Sequence, residues 1–348
     1  MSAARLFARP VPAPEVASSP VGGGACAALP EAPRQIRIGM PHLDAGGLSE
    51  NWLFRDAGDR HWQAIGQRLG VPTDQIRGQS AERLYPTVVA VRARYHAPLA
   101  VVNENDLFQA SAEVVPCGRA CAHGRVVASV GRLGTTGTRL SLELLTTFAA
   151  RAATGSRLRM ALPEPALARR WVAVGDEPPI AVLARAARRG RPLADAFAGP
   201  VLALPERPLG QLALEPSPYA DYNGAGLLYF ASYITIADSA ERQLVRRLGL
   251  HRGRPASGRT RAVDWALATS AVRRDVFYYD NLPLGDGLTA TLMSFQAERS
   301  GDPARDRPGD HGEVTTHVRL SRQDHQAGGK SRPMADIITR RRLLGESR

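Results

Sequence analysis

Residues 221–238 read DYNGAGLLYFASYITIAD, a turn followed by roughly three helical turns that are almost wholly apolar. The polar head, Asp221-Tyr222-Asn223-Gly224, predicts a turn, because Asn and Gly favour turns and helix caps. The helix is predicted to run on from Gly226 through GLLYFASYITIADSAERQLVRRLGL. Since a helix that is apolar on nearly every side must be buried, this stretch predicts the centre of a folded domain.

The first half of the chain contains a second predicted helix, GGLSENWLFRDAGDRHWQAIGQRLG, which Gly70-Val71-Pro72 ends. Equivalent positions in the two halves are separated by nearly the same number of residues. Gly47-Leu48 aligns with Gly226-Leu227, Asp59 aligns with Asp238, and the turn at 103–107 aligns with the turn at 284–288. The common spacing indicates a duplicated unit.

In each half, strand-like runs follow the helix, and a short strand at 36–40 precedes the first helix. This pattern, used twice, predicts an α+β double hot-dog fold. Two antiparallel sheets would each wrap around a long central helix and pair edge to edge. The predicted segments are a disordered arm at 1–35, a first hot-dog domain at 36–151, a connector at 152–217 and a second hot-dog domain at 218–348. Within the connector, PPIAVLARAARRGRPLADAFA predicts one helix.

The composition excludes several function classes. The 348 residues carry a formal net charge of +12, and Lys330 is the sole lysine. P-loop, Schiff-base and pyridoxal enzymes each need a placed lysine, so they are not expected. The arginine surplus suits anionic partners such as the phosphates of coenzyme A or an acidic carrier protein. Nucleic acid is not an expected partner, because the arginines are scattered, and no apolar run is long enough to span a membrane.

The cysteines predict a reducing, cytoplasmic location. There are three of them, Cys26, Cys117 and Cys121, an odd number without a disulfide framework. Cys117 and Cys121 lie near His123, but no second half-site follows. We therefore expect these cysteines to lie in a turn and a strand, and no metal site is predicted.

Two helix N-termini offer free backbone amides that could hold the carbonyl oxygen of a thioester. One is His42-x-Asp44-x-Gly46-Gly47, and the other is Asp221-Tyr222-Asn223-Gly224. The second resembles the Asp-x-Asn-Gly turn of hot-dog thioesterases. That resemblance implies that Asp221 acts on water and that the Gly224 amide faces the thioester. The alternative is that Asn223 and Gly224 merely cap the helix.

Longer stretches of the sequence are similar to the bifunctional acyltransferase/decarboxylase family known from leinamycin biosynthesis. They cover both halves, from about 36 to 345: MPHLDAGGLSENWLFRDAGDRHW, ERLYPTVVAVRARY, SPYADYNGAGLLYFASYITIADSAE, DVFYYDNLPLGDGL and MADIITRR. The resemblance implies that methylmalonyl-CoA or malonyl-CoA is decarboxylated. The propionyl or acetyl group would then pass to the phosphopantetheine thiol of an acyl carrier protein in polyketide-type biosynthesis. It implies no metal, biotin or pyridoxal cofactor.

The same resemblance implies that Tyr85 is the acyl-accepting nucleophile, with Tyr219, Tyr222 and Tyr229 as rivals. Asn223 with Gly224, or Gly46 with Gly47, would stabilise the enolate left by loss of CO2. His42 would protonate its carbon, unless it is only a solvated turn residue.

Asn51 is read as a helix-surface or interface polar residue and, with Asp221, as a candidate substrate contact. Two other functions remain open. One is a plain hot-dog thioesterase or hydratase that uses Asp221 with water, and the other is a non-catalytic carrier-binding protein. The sequence also leaves a homodimer open.

Overall fold

The computed structural model describes residues 35–132, 137–151, 158–173, 175–191, 207–250, 268–298, 312–323 and 331–344. The predicted arm lies outside these residues except for its last one, so its disorder stays a prediction. None of the helices in these ranges is both long and apolar enough to cross a membrane.

Among the described residues, two α-helices are long and two short ones lie in the predicted connector. The four are α1 Glu50–Leu69, α2 Pro165–Ala168, α3 Pro179–Arg188 and α4 Ser232–Leu248. Both long helices end at a glycine with left-handed backbone, Gly70 at φ 69° and Gly249 at φ 66°. A glycine takes this geometry without steric cost, which explains why each helix stops there. The two glycines are separated by the spacing that the repeat predicts.

The strands come before and after these helices along the chain. They are β1 Gln35–Arg37, β2 Leu43–Asp44, β3 Gly47–Leu48, β4 Tyr85–Tyr95, β5 Leu107–Pro116, β6 Cys121–Gly131, β7 Thr138–Arg151, β8 Leu158–Met160, β9 Gly210–Leu214, β10 Thr269–Tyr278, β11 Leu288–Glu298, β12 Glu313–Arg322 and β13 Arg332–Leu343. β2 and β3 form a small separate hairpin.

The large sheet shows the duplication directly. Its strand order is β1-β5-β6-β7-β4-β10-β13-β12-β11-β9, with β8 paired to β7. The first five strands and the last five have the same order, read outward from the centre, and each half contains one long helix between its first and second strands. We expected the sheets of the two halves to pair edge to edge, and β4 and β10 pair in this way at the centre. The structure has one continuous antiparallel sheet that runs through both halves.

The two halves join through the antiparallel pairing of β4 with β10. The ladder runs from Arg94 opposite Arg273 to Ala90 opposite Phe277. Because equivalent strands pair antiparallel, the halves are related by an approximate two-fold axis near the middle of this ladder. Residues 85–88 of β4 pair only with β7, and Val89 lies at a register shift, so β4 and β10 separate beyond Ala90.

Helices cover both faces of the sheet at this junction. α1 and α4 lie on the same face, since the Arg274 side chain of β10 bonds to both of them. They share one apolar core with both halves of the sheet. On the opposite face, α3 packs Ile180, Leu183 and Ala187 against β4, β7, β10 and β13. Each long helix packs mainly against strands of its own half, α1 against β5 and β6 and α4 against β9 and β12. That each half-sheet wraps around its helix stays a prediction.

The second long helix begins later than predicted, at Ser232 rather than Gly226. The preceding apolar residues lie in an extended loop, where Leu227 bridges to Pro283 and Leu228 to Tyr222. Leu227 and Leu228 are buried there. The apolar run is thus long because it serves a buried loop as well as a helix, and the sequence pattern alone does not separate the two.

A buried ion network fastens the two helices to the junction. Fully buried Arg274 donates to the Glu50 carboxylate at the start of α1, at 2.9 and 2.5 Å, and to the Asp238 carboxylate of α4, at 2.9 and 3.0 Å. Arg341 donates to the same Asp238 at 2.7 Å. Burial alone would raise the pKa of Asp238, but the two arginines hold it below its ordinary value. The network therefore stays ionised.

Arg274→Met is expected to lower the free energy of unfolding by about 3 kcal/mol, because Glu50 loses its buried arginine and Asp238 keeps only Arg341. Urea unfolding followed by circular dichroism measures it. Arg322→Ala is the control, since Arg322 is 41% exposed and forms a single ion pair, with Asp286, among the described residues. It is expected to cost at most about 1 kcal/mol. An Arg274→Met protein as stable as the control would show that the network does not hold the halves together.

Candidate functional site

A cavity of about 550 Å³ lies where β4 and β10 separate. Tyr85–Val89 of β4 line it, as do Tyr278 to Asn281 at the end of β10. Trp62 of α1 and Tyr233 of α4 reach it from one face of the sheet, and α3 reaches it from the other. The cavity therefore passes through the gap in the sheet, and its lining comes from both halves and the connector.

Tyr85 is one of two tyrosines in this cavity whose hydroxyl has no hydrogen-bond partner among the described residues. Three neighbouring tyrosines already donate to protein oxygens: Tyr233 to the carbonyl of Asp280, Tyr278 to the carbonyl of Phe230, and Tyr279 to the carboxylate of Asp336. The hydroxyls of Tyr85 and Tyr229 have no hydrogen bond to the described residues. The guanidinium of Arg83 lies 4.9 Å from the centroid of the Tyr85 ring, a cation–π contact.

Asn223 lines the same cavity and shapes the loop that reaches it. Its side-chain oxygen accepts the backbone N–H groups of Ala225, at 3.0 Å, and Leu227, at 3.2 Å. Because the turn uses the oxygen, the NH2 group is the part of the amide left to donate to a ligand. The N-terminus of α4 also borders the cavity, through Phe230 and Tyr233, and it favours negative charge.

A more open groove of about 680 Å³ adjoins the cavity and shares Tyr85 and Ala225 with it. Its other lining residues include Arg151, Gly224 and Leu284. The Arg151 guanidinium lies beside Gly226, 3.7 Å from where a side chain at that position would begin. The predicted Gly224 thus lies in the groove rather than in the inner cavity.

The structure does not bring His42, Gly46 or Gly47 to either cavity. His42 accepts the Gly39 amide at 2.8 Å through Nδ1, and its ring packs edge-on against Trp52. The Gly46 amide donates to the Asp44 carboxylate at 2.7 Å, so it is not free to hold an oxyanion. Gly47 has φ 99°, and a side chain there would begin 2.2 Å from the Leu99 carbonyl oxygen. These residues form a hairpin before α1, and Gly47 is required by close packing.

Side chains of the protein occupy the space at the N-terminus of α1, whereas the N-terminus of α4 borders the cavity. Tyr95 donates from its hydroxyl to Glu50 at 2.7 Å, and Glu50 in turn accepts from Arg274. The segment at 98–101 closes against β10, where the Leu99 amide donates to Ser270 at 3.3 Å. Within the described residues, the two equivalent ends of the junction have therefore diverged, and the cavity lies at the end nearer α4.

Asn51 and Asp221 hold the structure around the site without lining it. Asn51 donates to Thr235 of α4 at 2.7 Å and accepts from Arg55 of its own helix, so it links α1 to α4. The Asp221 carboxylate accepts the Ser217 amide at 2.7 Å and fixes the turn before the loop. A water-activating role for Asp221 stays a prediction that this geometry does not favour.

Cys117 and Cys121 face each other across the hairpin of β5 and β6, and both line the cavity. Burial and the nearby Cys121 raise the pKa of Cys117 to about 11, and burial raises that of Cys121. Both thiols are therefore protonated at neutral pH and are poor nucleophiles. Among the described residues, no group of three or more His, Cys, Asp or Glu side chains is arranged to hold a metal ion.

Solved structures of thioesterases superpose on most of the chain. A protein assigned as an oleoyl thioesterase from Lactobacillus plantarum superposes with a TM-score of 0.54 at 14% sequence identity, over 90% of this chain and 95% of that one. A 12:0-ACP thioesterase from Umbellularia californica gives 0.50 at 11% identity, over 89% and 96%.

The chain has a double hot-dog fold. At such low identity the likeness shows the fold alone. No protein-family model matches the chain, and no curated protein matches it. The resemblance to the acyltransferase/decarboxylase family therefore stays a prediction.

Proposed function

We propose that this protein cleaves acyl thioesters of coenzyme A or of a carrier protein, as a hot-dog thioesterase. The observation that carries the proposal is the cavity where β4 and β10 separate, which brings Tyr85 and Asn223 to one apolar space. Two solved thioesterases share the fold, which agrees with the proposal.

The size of the cavity favours an acyl chain over a small acid. At about 550 Å³ it lies within the usual range for a whole small-molecule ligand, and its lining includes Val88, Leu145, Leu227 and Leu228. A methylmalonyl group has few atoms and an ionised carboxylate, which such an apolar lining disfavours. An alkyl chain would fill the space and bury apolar surface.

The polar groups suit the chemistry of a thioester carbonyl. The NH2 group of Asn223 and the N-terminus of α4 would stabilise the negative charge that develops on the carbonyl oxygen. The Tyr85 oxygen would attack the carbonyl carbon. The C–S bond then breaks, and the phenol proton passes to the departing thiolate sulfur. Water would hydrolyse the tyrosyl ester and release the free acid.

The outer groove is a suitable place for the phosphopantetheine arm. It leads away from Tyr85, it is more open than the cavity, and Arg151 supplies a cation for a phosphate. Both coenzyme A and a carrier protein present this arm, so the groove serves either form of substrate.

Decarboxylation with transfer to a carrier protein is the second candidate. The observation that favours it is the Tyr85 hydroxyl, which has no partner among the described residues, on a ring that Arg83 contacts. Tyr85 is also the position where the family resemblance expects the acyl acceptor. A non-catalytic carrier-binding protein is the third.

The products distinguish these functions. The purified protein is given butyryl- to myristoyl-CoA, and separately methylmalonyl-CoA and malonyl-CoA with a holo carrier protein. We expect free fatty acid from the first set. Loss of CO2 with a propionyl or acetyl adduct on the carrier, measured by mass spectrometry, would replace the proposal by the second candidate. Binding without turnover would support the third.

In the same assay, Tyr85→Phe is expected to lower kcat about 100-fold or more and to abolish any acyl adduct on the protein. Its fold should be unchanged, because the hydroxyl has no described protein partner. Tyr229→Phe is the matched control, since it removes another unpaired hydroxyl from the same cavity. Full activity in the Tyr85→Phe protein would remove Tyr85 from the mechanism.

Arg151→Ala is expected to raise KM about tenfold for acyl-CoA and to leave kcat nearly unchanged, because a charge-assisted contact to phosphate is lost. The same variant should not affect hydrolysis of the matching N-acetylcysteamine thioester, which has no phosphate. Equal effects on both substrates would show that Arg151 acts on the fold or the acyl group rather than on the pantetheine arm.

A further inference from the structure

The connector helix α3 has two distinct faces. Ile180, Leu183 and Ala187 recur at helical spacing and are buried against the sheet. This face anchors the helix, because each of the three side chains contacts the apolar cluster formed by β4, β7, β10 and β13. The backbone of α3 is therefore held in one place beside the cavity.

The second face of α3 forms part of the cavity wall. Ala181, Ala184, Arg185 and Arg188 all line the cavity, at the i, i+3, i+4 and i+7 spacing of a single helical stripe. Across the cavity on the same side of the sheet, the lining includes Val89, Leu145 and Cys117. Along α3, the stripe that lines the cavity therefore begins with two alanines and ends with two arginines.

The two arginines at the end of the stripe limit the length of the alkyl chain that the cavity can hold. Arg185 forms a two-pronged ion pair with Glu177, and Arg188 donates to the Tyr278 carbonyl at 3.2 Å. An alkyl chain that advanced past Ala184 would have to desolvate these groups, which is unfavourable. The space beside Ala181 and Ala184 is therefore where a chain can lie, and the arginines mark its end.

We propose that α3 sets the acyl-chain length that the cavity accepts, with Ala181 and Ala184 as the specificity-determining residues. The inference rests on the proposed function and assigns its selectivity to the connector rather than to either hot-dog half. The physical reason is that alanine is the smallest side chain that keeps a helix stable, so it leaves the most room beside a fixed helix. Each additional methylene that a chain buries there raises affinity roughly fourfold.

Binding of inert substrate analogues tests this directly. S-alkyl-CoA thioethers from ethyl to tetradecyl cannot be hydrolysed, and their affinities are measured by isothermal titration calorimetry. The unaltered protein should bind longer chains progressively more tightly up to a limiting length. Ala184→Leu should shorten that limit, weaken the tetradecyl ligand at least tenfold and leave the ethyl ligand within about twofold. Ala181→Leu is an independent second variant, in case the first does not fold.

Val182→Leu is the control, because Val182 lies on the same helix but is 48% exposed. It should leave the chain-length profile unchanged. If both alanine variants fold and retain the original profile, α3 does not set chain length, although the proposed function survives. If the unaltered protein binds no analogue, or binds all of them equally, the cavity does not bind acyl chains. That result would contradict the inference about α3 as well.

Discussion

The antiparallel ladder between β4 and β10 is the constraint on which the rest of this structure depends. It turns two similar halves into one sheet, and Arg274 at its centre ties α1 and α4 to the same face through Glu50 and Asp238. Because the ladder stops at Ala90 and Phe277, a gap remains beyond it. That gap is the cavity, so its position follows from the length of the pairing.

The duplication supplies two equivalent junction ends, and the described residues show that they have diverged. At the α1 end, Tyr95 fills the space with its bond to Glu50, and Gly47 packs directly on Leu99. At the α4 end, the loop through Asn223 and the anchored helix α3 surround an open space. A single chain with two halves can therefore close one end and leave the other open, which an identical pair could not do.

The repeat, the two long helices and the end of the first at Gly70 could be predicted, since periodicity and spacing are local properties of the sequence. Tyr85 and Asn223 were both singled out, and the structure brings them to one cavity. Gly46 and Gly47 were predicted to stabilise the same negative charge as Asn223, and His42 was predicted to protonate the enolate carbon. Their packing against Trp52 and Leu99 depends on tertiary contacts that no local pattern reveals. Ala181, Ala184 and Arg151 were missed, because small or exposed residues carry no signal until the fold places them.

The central claim is that acyl thioesters bind where β4 and β10 separate, at the α4 end only. The most direct measurement is a crystal structure of the protein with a dodecyl-CoA thioether. The account predicts one ligand per chain, with its sulfur beside Tyr85 and Asn223, its alkyl chain against α3 and its pantetheine arm in the groove with Arg151. A ligand beside His42 and Glu50, or an empty cavity at saturating concentration, would contradict it.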